Sequence, residues 1–174
     1  MEQTKPMQFE LPKVRARKRN RKQEELLNVL THGAGALLSV IGFFVLVYFS
    51  STRGTKTQLI TAIIFGASLT VLYTASTVYH AMTRLRWKKF FQTIDHLCIY
   101  LLIAGTYTPV ALLGLKGTWG WIIFTLIWTF ALVGFVFKLS PLRRHEKVSL
   151  LLYLVMGWLI VIALKPLIAS MPIE

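Results

Sequence analysis

VLTHGAGALLSVIGFFVLVY, residues 29–48, decides the fold. A helix laid on a soluble core alternates an apolar stripe with a polar one, whereas this run is apolar on every side. It reaches the roughly 20 residues that an α-helix needs to cross the hydrocarbon core of a bilayer. The one imidazole in it, His32, stands at its amino end. A secretory signal has a shorter apolar core and ends at a small-residue cleavage site, so this run reads as a retained first membrane helix.

Four further apolar runs follow, and the expected spans are about 29–50, 57–80, 91–113, 117–138 and 148–168. The fold class is therefore all-α, a multispanning membrane helix bundle. The composition agrees: 55% of the 174 residues are hydrophobic and the mean hydropathy is +0.57. Residues 24–174 form the membrane domain. Residues 1–23 are polar, basic and without apolar periodicity, and carry Pro6 and Pro12, so a disordered arm is expected there. The single cysteine, Cys98, excludes a disulfide framework within the chain and reads as a small core residue.

Charge sets the orientation. The net charge is +13. The arm is dense in Lys and Arg; the connection after span two carries Arg84, Arg86, Lys88 and Lys89; the one after span four carries Arg143, Arg144 and Lys147. The alternate connections hold only Arg53 and Lys56, or Lys116. Every second connection is basic, which predicts a cytoplasmic N-terminus in a multi-pass cell-membrane protein. Tyr48, Trp87, Trp119 and Trp121 near span ends suit the interfacial belt. Beside a membrane, the basic arm implies attraction to anionic headgroups of membrane lipids, worth about 1 kcal/mol per cation, and no nucleic-acid partner is expected.

The polar residues within the spans gather at one end. His32 opens span one, Ser76 and His80 close span two, and Asp95 and His96 open span three. An Asp at a helix centre costs roughly 2.5–3.5 kcal/mol on insertion scales, so such groups usually have partners or a function. Ser76 and His80, four apart, share a helix face that Tyr73 extends. Asp95 and His96 are adjacent and cannot point equally at one centre; His96 and Tyr100 share a second face. Interhelical hydrogen bonding would explain these groups, at about 0.6 kcal/mol each. A metal or proton site explains several at one depth comparably well. Zinc suits imidazole with carboxylate, and a catalytic zinc takes three protein ligands plus water. His80 is the best ligand, Asp95 could bind or orient the metal water, and Ser76 could hydrogen-bond that water; a third ligand is unassigned by spacing. Pro109 in GTYTP predicts a bend, with Thr106 and Thr108 satisfying freed backbone groups. Glu24, Glu25 and His145 read as solvated, with Glu25-x-x-Asn28 able to cap span one.

Glu25-x-x-Asn28-x-x-Thr31-His32-Gly33, Ser76-x-x-Tyr79-His80, Asp95-His96 with IAGTYTP, Tyr153 and Met156-Gly157-Trp158 occur in an order that resembles the hemolysin III family, the bacterial branch of the progestin and adipoQ receptor superfamily. The resemblance runs from about residue 24 to the end. It implies a seven-helix membrane protein with a zinc ion near the cytoplasmic side, His80 as a ligand, Asp95 on the metal-bound water and Ser76 in the same site. The family's other ligands come from a His-x-x-x-His pair on a last helix, which these 174 residues lack, so the metal site is expected to be incomplete and the chain short at its C-terminus. Three functions follow as expectations: a zinc-dependent hydrolase of a lipid amide or ester, a pore-forming or cytolytic protein as the family name suggests, and a lipid- or metal-sensing receptor-like protein.

Overall fold

The computed structural model describes residues 11–170 other than Lys116. Helix α1 covers Leu11–Arg53, α2 Lys56–Ala81, α3 Leu85–Pro109, α4 Thr118–Leu139, α5 Glu146–Trp158 and α6 Leu164–Ser170. Among the described residues no strand occurs. Among the described residues four helices are long and apolar enough to span a membrane, α3 counting together with the π-helical turn Val110–Gly114 that prolongs it. The fifth expected span is a broken one: α5 with its 3-10 extension and α6 meet at a 42° bend.

That break has a local cause. Pro166 has no N–H and its ring crowds the carbonyl of Ile162, so a helix through this region must open there. Just before it, at the 3-10 turn Leu159–Val161, the hydroxyl of Tyr107 meets the backbone. It donates to the Gly157 carbonyl at 2.8 Å and accepts from the Ile160 amide at 3.0 Å. Backbone groups released inside a bilayer need such internal partners. At Pro109 the disturbance takes the form of the π-helical turn. Thr106 and Thr108 donate to Leu102 and Ala104, each at 2.8 Å, rather than to the carbonyl of Gly105 that Pro109 releases.

Two boundaries differ from expectation. Helix α1 begins at Leu11, so residues 11–23, expected to be disordered, are helical, while the first ten residues lie outside the described ones. Lys, Arg, Gln and Glu are good helix formers, and an adjoining span supplies the costly nucleus. The 43 residues of α1 extend roughly 65 Å at 1.5 Å per residue, twice the hydrocarbon thickness of about 30 Å. The apolar run from Val29 crosses, and the helix before it projects beyond. Helix α3 likewise starts at Leu85, six residues before the expected 91, which turns Lys88 and Lys89 from loop residues into residues of its first turns.

Helices α1 to α4 pack as sequential neighbours, and α5 returns against α3 and α4. Small residues let them approach: a Cβ on Gly35 would overlap the Tyr73 ring, one on Gly66 the Phe43 ring, and one on Gly134 the Tyr100 ring. Without a hydrophobic drive between helices in lipid, such close packing is what holds them together. The core lies among α3, α4 and the α5 break, on Tyr100, Tyr107, Ile123, Ile127 and Met156. Cys98 is buried, as expected. The outer residues of α1, including Leu37, Leu38, Ile41 and Phe44, are exposed. Tyr48, Trp87, Trp119 and Trp121 are exposed as well, as belt residues should be.

Candidate functional site

Three helices meet at one polar corner. Glu25 and His32 lie two turns apart on the side of α1 that faces α2. His80 lies in the last turn of α2, and Lys88 in the first turns of α3. One oxygen of Glu25 accepts from Nδ1 of His80 at 2.8 Å, and the other accepts from Nζ of Lys88 at 2.5 Å. His80 stacks nearly parallel on His32, with ring centroids 5.6 Å apart and planes at 10°. Tyr73 flanks His32 at 5.9 Å, and the Lys88 ammonium stands 5.2 Å from the Tyr79 ring centre. The i, i+4 reading of α2 thus places Tyr73 and His80 on the side that meets α1.

Glu25 stands ahead of the apolar run. Partial burial pushes its pKa up, but the hydrogen bonds and positive charge of Lys88 and His80 outweigh this and hold the carboxyl below its ordinary value. The Glu25–His80 bond leaves one ring nitrogen of His80, Nε2, as an acceptor. A carboxylate behind an imidazole fixes its tautomer and orientation, an arrangement that accompanies metal-ligating and proton-accepting histidines.

Of the sequence-predicted site residues, His80 is at the centre of this corner. Ser76 is buried one turn earlier on α2, and its hydroxyl makes no hydrogen bond to a described residue. Asp95, half-buried on α3, lies near enough to Tyr79 for its charge to be felt there, but it makes no hydrogen bond or ion pair with a described residue. His96 turns to the other side of α3, where its carbonyl accepts from the Tyr153 hydroxyl at 3.0 Å and its side chain lines a polar pocket against α4 and α5. The separation expected for adjacent helical positions is what divides Asp95 from His96.

Glu25 and Lys88 are the members that reading the sequence missed. Glu24 is exposed as expected, but Glu25 is not simply solvated and caps nothing, because α1 runs straight through it. The signal was present: Glu25 opens the first of the quoted motifs. His145 is exposed between α4 and α5, as expected.

Among the described residues the donor set is too small for a complete zinc centre. A catalytic zinc needs three protein ligands, and among the described residues no three His, Cys, Asp or Glu side chains come together to hold a metal ion. His32 stacks on His80 instead of converging with it, and His96 faces away. No step through a metal is therefore derived for this chain.

Comparison with known proteins agrees with the architecture. The chain is 43% identical over 145 residues to Hemolysin-3 of Bacillus cereus, covering 83% of this chain and 66% of that protein. It is 44% identical over 149 residues to the Hemolysin-3 homolog of Bacillus subtilis (strain 168), covering 86% and 70%. The human monocyte to macrophage differentiation factor is 29% identical over 143 residues, 78% of this chain and 58% of that protein. The chain thus spans about two-thirds of the length of the bacterial relatives. No solved structure matches it. The haemolysin-III related family profile matches residues 20–174. With that match over the whole of its membrane domain, the chain belongs to the haemolysin-III related family of multi-pass membrane proteins.

Proposed function

We propose that the corner formed by α1, α2 and α3 is the functional site of this membrane protein, and that the N-terminus and basic connections lie in the cytoplasm. The alternation of basic and nearly uncharged connections supports the orientation. The observation that carries the site is the 2.8 Å bond between Glu25 and His80. It prepares Nε2 of His80 to take a metal ion or a proton, while Lys88 balances the carboxylate. Ser76 and Asp95 supply a hydroxyl and a carboxylate near the same end of the bundle.

With one oriented imidazole and, among the described residues, no convergent second or third ligand, the residues best support a lipid- or metal-sensing site in a receptor-like protein. The hydrolase reading, with His80 as zinc ligand and Asp95 and Ser76 acting at a lipid amide or ester, needs zinc bound to the purified chain. Metal analysis of the wild type and His80→Ala tests this. Zinc present in the wild type and lost in the variant supports the hydrolase reading; near-zero zinc in both removes it.

The names of the bacterial relatives favour a second reading, that of a pore-forming or cytolytic protein. Dye-filled liposomes test it. Release that rises with purified protein supports it, and no release over a wide protein range removes it.

A further inference from the structure

The opposite side of α3 carries a second polar site, to which the reading above assigns no role. A cavity of about 300 Å³ opens between the start of α3, the end of α4 and the start of α5. Lys89 contributes from α3, Lys138 from the last turn of α4, and Arg144 from the 3-10 turn that precedes α5. Among the described residues Glu146 is the one carboxylate in the lining, and Gln92, Thr93 and His96 add uncharged polar groups. The side chain of Lys138 is buried, and its charge is felt at His96. Lys89 and Arg144 are exposed at the mouth.

We infer that this pocket binds a phosphate group, with the headgroup of an anionic phospholipid and a free phosphate as the two sources of that chemistry. Three cations from three separate elements surround one carboxylate, so the cavity keeps a net positive charge whatever the internal pairing of Lys138. An arginine fork and lysine ammonium groups match the oxygens of a phosphate. Gln92 adds an uncharged donor. The size lies at the small end of ligand cavities, which span about 300–1,000 Å³, and suits a headgroup without its chains. The depth fits as well: the last turn of α4 and the first turns of α3 lie where a span meets the headgroup layer, and basic pockets between helices at that level take anionic headgroups. The inference is independent of the Glu25 corner, because it uses none of its side chains.

The test is binding of dioctanoyl phosphatidic acid to the full chain in detergent, with dioctanoylglycerol as the same lipid without its phosphate. The phosphate-bearing lipid should bind saturably and the other should not. In Lys89→Gln/Arg144→Gln the affinity should fall about tenfold or more, given the attraction each cation supplies near a headgroup. Arg84→Gln/Arg86→Gln removes the same charge outside the pocket and should leave the affinity within about twofold. The single variant Arg144→Gln, at an exposed position, should show an intermediate loss and keeps the test open if the double variant folds poorly. Displacement of the lipid by inorganic phosphate would identify the free ion as a sufficient ligand. Failure to displace it, with the pocket variants still weakened, would identify the lipid. Equal binding of dioctanoylglycerol, or equal losses in the two double variants, would overturn the inference.

Discussion

Adjacent residues of α3 serve two different polar corners. Lys88 reaches Glu25 and the α1–α2 side, while Lys89 lines the pocket against α4 and α5. The first corner is closed on itself: a carboxylate accepts from a lysine and from an imidazole that is stacked on a second imidazole. The second is open and cationic, with three basic side chains about a single carboxylate. The difference separates what charges at a membrane boundary can do. Where they are matched in sign and geometry they fasten helices together and orient one another's side chains, and where one sign is in excess they attract ions of the other sign. Helix α1 most needs fastening. Only 6% of its apolar window is buried, against 39% for that of α3, so its attachment leans on the packing of Gly35 and Gly66 and on Glu25.

The largest effect should come from breaking the closed corner at its acceptor. Glu25→Ala leaves the His80 N–H and the Lys88 ammonium without their carboxylate, and hydrogen bonds to charged groups are worth about 1.5–3 kcal/mol. Part of that is screened, because the Glu25 side chain is 38% exposed, so a loss of about 1–2 kcal/mol is expected. Thermal unfolding in detergent would show it as a lower Tm, and an unchanged Tm would mean that the corner does not hold α1. A double-mutant cycle of Glu25→Ala with His80→Ala should then return a coupling of about 1 kcal/mol. A coupling near zero would leave the 2.8 Å contact without energetic meaning.

Much of the closed corner was legible in the sequence, and the reason is solvation. An imidazole or carboxylate is costly in a chain this apolar, so His32, Ser76, His80 and Asp95 pointed to the end of the bundle where Glu25, His32 and His80 meet. The helical angle between Asp95 and His96 also foretold that they would part. Glu25 was hidden because it falls before the apolar run, where solvation is the ordinary state of a glutamate; only the extension of α1 to Leu11 gives it a rigid position from which to reach His80. Lys88 and Lys89 were hidden for a related reason: read as loop residues they set topology, and as helical residues they face different corners. Lys138, the last charged residue of an otherwise apolar helix, gave a signal that the expected spans did not use. The region between α5 and α6 combines Pro166 with bonds from Tyr107 of α3 to Gly157 and Ile160, a contact that local periodicity cannot foresee.

The two lysines give the most direct comparison, with a smaller expected effect. Lys88→Gln removes the Glu25 ion pair and the cation over Tyr79, and should cost about 0.5–1 kcal/mol. Lys89→Gln removes a like charge from an open pocket and should change stability by less than about 0.5 kcal/mol, while weakening phosphate binding. Equal destabilisation by both would erase the distinction between the paired charge of one corner and the excess charge of the other.

The smallest effect is in the pH dependence, and it tests the same distinction from the carboxylate's side. Glu25 has its pKa lowered in the folded protein from an ordinary value of 4.5. A depressed carboxyl pKa means that the folded state prefers the ionised form, so its contribution is complete above the unfolded value and is lost as pH falls through the folded one. Unfolding measured from pH 6 downward should therefore show an extra loss of stability below pH 4.5, and Glu25→Gln should flatten that limb while lowering the plateau above it. A Glu25→Gln curve parallel to the wild type throughout that limb would mean that the closed corner carries no net charge linkage, and that Glu25 holds α1 by shape and hydrogen bonding alone.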